Sequence, residues 1–115
     1  MKGNKLFDVS VSGDVSTNAS RKSKSWRNNL ETSFSTLSFS KTGGDRIAVD
    51  VHFWIADNRF DVFGRNDLDN LIKPVLDAMK RMKVIYDDAS VHHLSITKHS
   101  TQGIEGLEMT VTEWL

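Results

Sequence analysis

The sequence predicts an α/β fold: a single two-layer domain, with a mixed β-sheet in one layer and two main helices in the other, in the order β-α-β-α-β-β. Three observations carry that expectation. Between Arg46 and Ala56 the odd positions are Ile47, Val49, Val51, Phe53 and Ile55, while Asp50 and His52 hold the even face, which is the period of a half-buried strand. Trp26, Leu30, Phe34 and Leu37 recur at helical spacing, and so do Leu71, Ile72, Val75, Leu76, Met79 and Met82. Each stripe must be buried against something, and in a chain of 115 residues, the size of one compact domain, that partner is the sheet. With no internal repeat, residues 1–115 read as one unit.

Each element has its own justification. Lys5–Gly13 carries Leu6, Val9 and Val11 among polar residues and ends on glycine, a first strand. Serines crowd the next segment, but the stripe from Trp26 places a helix over Lys24–Leu37, with Ser20 or Ser23 as its N-cap. Paired glycines make Lys41–Asp45 a turn before the strand Arg46–Ala56. A loop over Asp57–Gly64 leads to a second helix over residues 70–82, capped by Asp69 or Asn70, with Pro74 near its start where a missing N–H costs least. Asp87 and Asp88 then precede two strands, Val91–Lys98 and Glu108–Thr112, the latter flanked by Leu107 and directing Met109 and Val111 to one side.

Composition removes several classes. At 38% hydrophobic and 26% charged residues the chain should fold rather than stay disordered. The absence of cysteine excludes disulfides, thiolate zinc sites, iron–sulfur clusters and a cysteine nucleophile. The most apolar stretch, Ile47–Ala56, is interrupted by Asp50 and His52 and falls short of the roughly 20 residues a membrane span needs, and Met1–Asp8 has no apolar core of a secretory signal. The expectation is a soluble, cytoplasmic protein. No phosphate-cradling glycine loop supports a nucleotide cofactor, and no Gly-x-Ser-x-Gly supports a serine hydrolase.

Fifteen basic and 15 acidic residues cancel, but a polyanion meets the local field and not the sum. Arg21, Lys22, Lys24 and Arg27 form an acid-free basic run around Trp26, suited either to a phosphate backbone or to a solvated helix face. Lys73, Lys80, Arg81 and Lys83 form a second cluster, and seven of the 15 acids fall between Asp57 and Asp88. Phe60 and Phe63 either pack their loop or stack on an unpaired base. His92 and His93, adjacent on a strand, point to opposite faces, so at most one could reach a site formed by the neighbouring acids.

Asp67 and Asp69 leave the same side of an extended backbone, and carboxylates held that close repel unless a cation or a proton intervenes. Hard oxygen donors of this kind suit Mg²⁺, and paired ions can stabilise the attacking and leaving oxygens of phosphoryl transfer. Asp87 or Asp88 could return to the same place as a third ligand, and Lys73, one helical turn after Asp69, could meet the phosphate. The same run is also an ordinary acidic helix N-terminus, and Asp-Asp-Ala-Ser an ordinary turn; spacing alone leaves both readings open. A calcium hand is excluded, because the positions that need glycine and glutamate are Ile72 and Ala78.

The run Asp67-Leu68-Asp69-Asn70-Leu71-Ile72-Lys73-Pro74-Val75-Leu76-Asp77-Ala78-Met79, followed by Tyr86-Asp87-Asp88-Ala89-Ser90-Val91, resembles the signature of the RusA-type endodeoxyribonucleases, which resolve Holliday junctions. Met79 stands where that pattern has leucine, Gly13–Asn18 lacks the family's usual proline, and Arg59–Arg65 is less basic than the corresponding loop. The resemblance implies a Mg²⁺-dependent homodimer, with Mn²⁺ as a substitute ion, that nicks four-way DNA junctions symmetrically in recombination and repair. Position by position it implies Asp67, Asp69 and Asp88 as metal-binding catalytic carboxylates and Lys73 as the active-site lysine, with Asn70 and Asp87 as accessory residues and Asp77 on a further motif position. The expected DNA contacts are Arg65, Lys73, Arg21, Lys22, Lys24 and Arg27. A bound Mg²⁺ would make the loaded protein more positive than its sequence. Two other readings keep the fold: a non-catalytic branched-DNA-binding or assembly module, and a nuclease for other branched DNA.

Overall fold

Alternation along Ile47–Ala56 gives the strand that organises the rest. The computed structural model describes residues 1–17, 23–37, 46–61, 67–85 and 87–115. Among them, β1 is Lys2–Ser12, α1 Ser23–Ser35, β2 Ile47–Ala56, α2 Leu68–Arg81, β3 Val91–Thr101 and β4 Gly106–Trp114, with a 3₁₀ turn at Asp88–Ser90. The predicted order of elements is the observed one.

The strands form one mixed sheet in the order β1-β4-β2-β3. β4 runs antiparallel to both β1 and β2, and β2 runs parallel to β3. A parallel pair needs a long crossover, and α2 supplies it. α1 carries the chain from β1 to β2, which run in the same direction on either side of β4.

Every odd residue of β2, from Ile47 to Ile55, is fully buried. In register with them stand Leu107, Met109 and Val111 of β4, whose own partners on β1 are Val11, Val9 and Phe7. Trp26, Leu30 and Phe34 from α1 and Leu71, Val75, Ala78 and Met79 from α2 close the core over this face. The opposite face carries the even residues Asp50, His52 and Trp54, which are only partly buried.

Boundaries differ from the sequence expectation in ways that have physical causes. Helix α2 begins at Leu68, so Asp67, and not Asp69 or Asn70, is the N-cap: its backbone is extended at φ −70°, ψ 149°, and its carbonyl accepts the Leu71 N–H at 3.0 Å. Asp69 then lies in the first turn, where the helix dipole favours a carboxylate. Pro74 consequently sits inside the helix and has no N–H to give the Asn70 carbonyl. Ser23 is the first residue of α1 and not its cap; Ser20 and the Lys41–Asp45 turn lie outside the described residues. Strands β1 and β3 run further than predicted through residues that carry no hydrophobic signal (Lys2, Gly3 and Asn4; His99, Ser100 and Thr101), and β4 gains Gly106, Leu107, Glu113 and Trp114, because ladder hydrogen bonds continue beyond the alternating residues. No described helix is long and apolar enough to cross a membrane.

At the end of α2, Lys83 adopts φ 58°. The Lys83 N–H donates to the Lys80 carbonyl at 3.0 Å and the Val84 N–H to the Met79 carbonyl at 2.8 Å, the paired bonds of a left-handed helix terminus.

Beyond the helices, one buried carboxylate joins several segments. Glu105 accepts hydrogen bonds from the Val15 N–H at 3.0 Å, the Ala56 N–H at 2.8 Å and Arg59 Nη1 at 2.7 Å. Arg59 Nη2 in turn donates to the Val15 carbonyl, and the Gly13 N–H to the Glu105 carbonyl. The chain approaches itself closely here: a Cβ on Gly106 would stand 2.3 Å from the Val11 carbonyl oxygen, and Gly13 has φ +139°.

Two stability changes are expected, both read by urea denaturation. Glu105→Ala leaves the Val15 and Ala56 N–H groups without their acceptor and should cost about 1–3 kcal/mol. Lys83→Gly relieves the left-handed backbone, less the extra chain entropy of glycine, and should add roughly 0.5–1 kcal/mol.

Candidate active site

The first turns of α2 sort the mixed chemistry of its sequence by face. Leu71, Ile72 and Val75 are buried and hold the helix to the sheet, while Asp67, Asp69 and Lys73 are exposed and Asn70 is partly so. Asp69 and Lys73, one turn apart, share the outer face. The Asp67 side chain makes no capping hydrogen bond, so its carboxylate is not committed to the helix end.

Asp87 and Asp88 do different things. Asp87 Oδ1 accepts from the Ala89 N–H at 3.1 Å and caps the 3₁₀ turn. Asp88, the first residue of that turn, lies 3.4 Å from Lys80 Nζ through its Oδ2. The same Lys80 Nζ is 3.7 Å from Asp77 Oδ1. Lys80 therefore links the second half of α2 to the segment that leads into β3. Its sequence signal was only membership of a basic cluster; the i,i+3 spacing from Asp77 is what could have singled it out.

Asp67, Asp69 and Asp88 are hard oxygen donors of the type Mg²⁺ takes. The chain does not gather them into one cluster: among the described residues, no three His, Asp or Glu side chains stand together so as to hold a metal ion. Asp67 and Asp69 open α2, whereas Asp88 lies beside Asp77 and Lys80, and residues 69 and 77 of a helix are roughly 12 Å apart along its axis. Asp67, Asp69 and Lys73 are thus exposed on the first turns of α2, and Asp88 is paired with Lys80 near its end.

The basic residues are divided as well. Lys24 and Arg27 are exposed on α1, with Trp26 between them fully buried in the core. Arg81 reaches across from α2 to Glu31 of α1. Arg21, Lys22 and Arg65 lie outside the described residues, as does Phe63. Phe60 packs against the core, with Lys98 Nζ 4.6 Å from its ring centre and 2.9 Å from its carbonyl. His93 stacks on Trp114, and His92 is exposed.

A four-stranded mixed sheet covered on one face by two helices, with Asp67, Asp69 and Lys73 exposed where α2 begins, defines a two-layer α/β protein with an acidic, lysine-bearing helix start. A model of the family described as endodeoxyribonuclease RusA matches residues 4–112. The match takes in both helices, β2, β3 and most of β1 and β4, and the chain belongs to that family. No curated protein matches it in sequence.

Because the groups around Lys80 are well exposed to solvent, their ion pairs are weak in energy even though they set geometry. Lys80→Met should therefore change global stability by less than about 1 kcal/mol in chemical denaturation. Hydrogen exchange at Ala89 and Ser90 should nevertheless accelerate as the 3₁₀ turn loses its tie to α2.

Proposed function

We propose that the chain is a structure-selective endodeoxyribonuclease that resolves four-way DNA junctions by paired, symmetric phosphodiester cleavage, in DNA recombination and repair. The observation that carries this reading is the family match over residues 4–112, which includes the exposed Asp67, Asp69 and Lys73. In this reading Lys73 offers its ammonium to the scissile phosphate, where developing negative charge needs a fixed cation. Asp67, Asp69 and Asp88 are the acidic residues on which activity depends, Asn70 and Asp87 support them, and dependence on Mg²⁺, with Mn²⁺ as a substitute, belongs to the proposal. Lys24 and Arg27, with Arg21, Lys22 and Arg65, would follow the phosphate backbone. A nearly two-fold junction presents two equivalent strands, so a homodimer with two equivalent sites is the assembly that matches it. The cytoplasm is the proposed location.

The separation of Asp88 from the start of α2 favours a second reading, a branched-DNA-binding or assembly module without turnover. One experiment distinguishes them. The purified chain is incubated with four-way junctions and with linear duplexes of matched sequence, in Mg²⁺, in Mn²⁺ and with chelator. Resolution predicts divalent-dependent cleavage confined to the junction, lowered at least ~100-fold in Asp69→Asn, Asp88→Asn and Lys73→Ala. Salt-sensitive junction binding with no product in either ion selects the second reading, and equal cleavage of linear duplex removes junction selectivity.

A further inference from the structure

The sheet face turned away from the helices carries a group of side chains that the nuclease reading does not use. Asp50, His52 and Trp54 alternate onto this face from β2. In register beside Trp54 on β3 is His99, and directly opposite His52 on β4 is Glu108. His52 Nδ1 lies 2.9 Å from His99 Nε2. The two rings are 17° from parallel with centres 5.2 Å apart, so they meet through their nitrogens. His99 also stacks on Trp54 at 4.9 Å, which fixes its ring plane. Behind the pair, His52 Nε2 is 3.7 Å from Asp50 Oδ1.

We propose that His52 and His99 form a binding site for a divalent transition-metal ion of the Zn²⁺ or Cu²⁺ class, the ion entering between the two facing nitrogens and water completing its coordination. Imidazole nitrogens select such borderline ions over Mg²⁺. Metal–nitrogen bonds of about 2.0–2.1 Å at a tetrahedral angle place two ligating nitrogens roughly 3.3 Å apart, so the present gap need open by only a few tenths of an ångström as the rings tilt. Asp50 Oδ1, 3.7 Å from the His52 ring nitrogen that would face away from the ion, places negative charge behind that ligand. The His52 side chain is 38% exposed, which leaves water to complete the coordination. The ion would bridge β2 and β3, the latter an edge strand, and stabilise the folded state by mass action. This site is on the opposite face of the sheet from α2 and does not rest on the nuclease reading.

The test uses the full chain titrated with Cu²⁺ and, separately, with Zn²⁺. Expected are one equivalent of Cu²⁺ with nitrogen hyperfine coupling in its electron paramagnetic resonance spectrum, and a Zn²⁺-dependent rise in Tm. Affinity should fall at least tenfold in His52→Gln and in His99→Gln, and should weaken in acid as protons compete for the ring nitrogens. His93→Gln and Asp69→Asn must retain it, which separates this site from the Trp114 stack and from the acidic residues of α2. Undiminished binding in either His52→Gln or His99→Gln, or a copper spectrum of the unaltered chain without nitrogen coupling, overturns the proposal. Urea denaturation of each variant establishes that it is folded, and the copper spectrum of the unaltered chain decides the matter if one is not.

Discussion

The Glu105 carboxylate is the point at which otherwise separate stretches of backbone meet. A buried carboxylate is costly unless its oxygens are fully used, and here Val15, Ala56 and Arg59 use them. Those partners lie just beyond β1, at the end of β2 and shortly after it. Glu105 itself immediately precedes Gly106, whose register partners are Ser12 on one side and Trp54 on the other. The requirement to satisfy one acid therefore fixes where β4 enters the sheet and how both neighbouring strands are aligned with it. Placement of the two crossover helices follows from that alignment.

With the strands so aligned, β2 divides the molecule into two chemical environments. Its odd residues meet the helices in a dry core, and its even residues meet water through Asp50, His52 and Trp54. The acidic helix start and the histidine pair are thus kept on opposite sides of the sheet. Exposure is what lets each keep reactive lone pairs, since burial would demand partners for them.

The sequence makes some of this legible and hides the rest for definite reasons. β2 and α2 can be read because their buried residues repeat at the period of their own backbone, and Trp26, Leu30 and Phe34 reveal α1 in the same way. Glu105 cannot be read: a single glutamate among Gly103, Ile104 and Gly106 has no periodic neighbour, and its partners are distant in the chain. The N-terminus of α2 is misjudged because Asp67, Asp69 and Asn70 are all good caps, and only the backbone decides that Asp67 takes the role. For the candidate site, residue types and spacing carry the motif well. They do not carry distance, because the helix between Asp69 and Asp88 has a length that no motif records. The His52–His99 contact spans 47 positions and arises from strand register alone.

The central place of β4 has a consequence for how the fold is reached. β1 touches the remainder of the sheet only through β4, and the two strands lie at opposite ends of the described chain. The Met1 amino group and the Leu115 carbonyl are 3.1 Å apart. The β2–α2–β3 crossover can form from neighbouring segments, but β1 has no strand to pair with until nearly every other residue is in place. Closing so long a loop costs entropy before any ladder bond offsets it, so the β1–β4 pairing is the slow kind of contact that non-local topology imposes on folding.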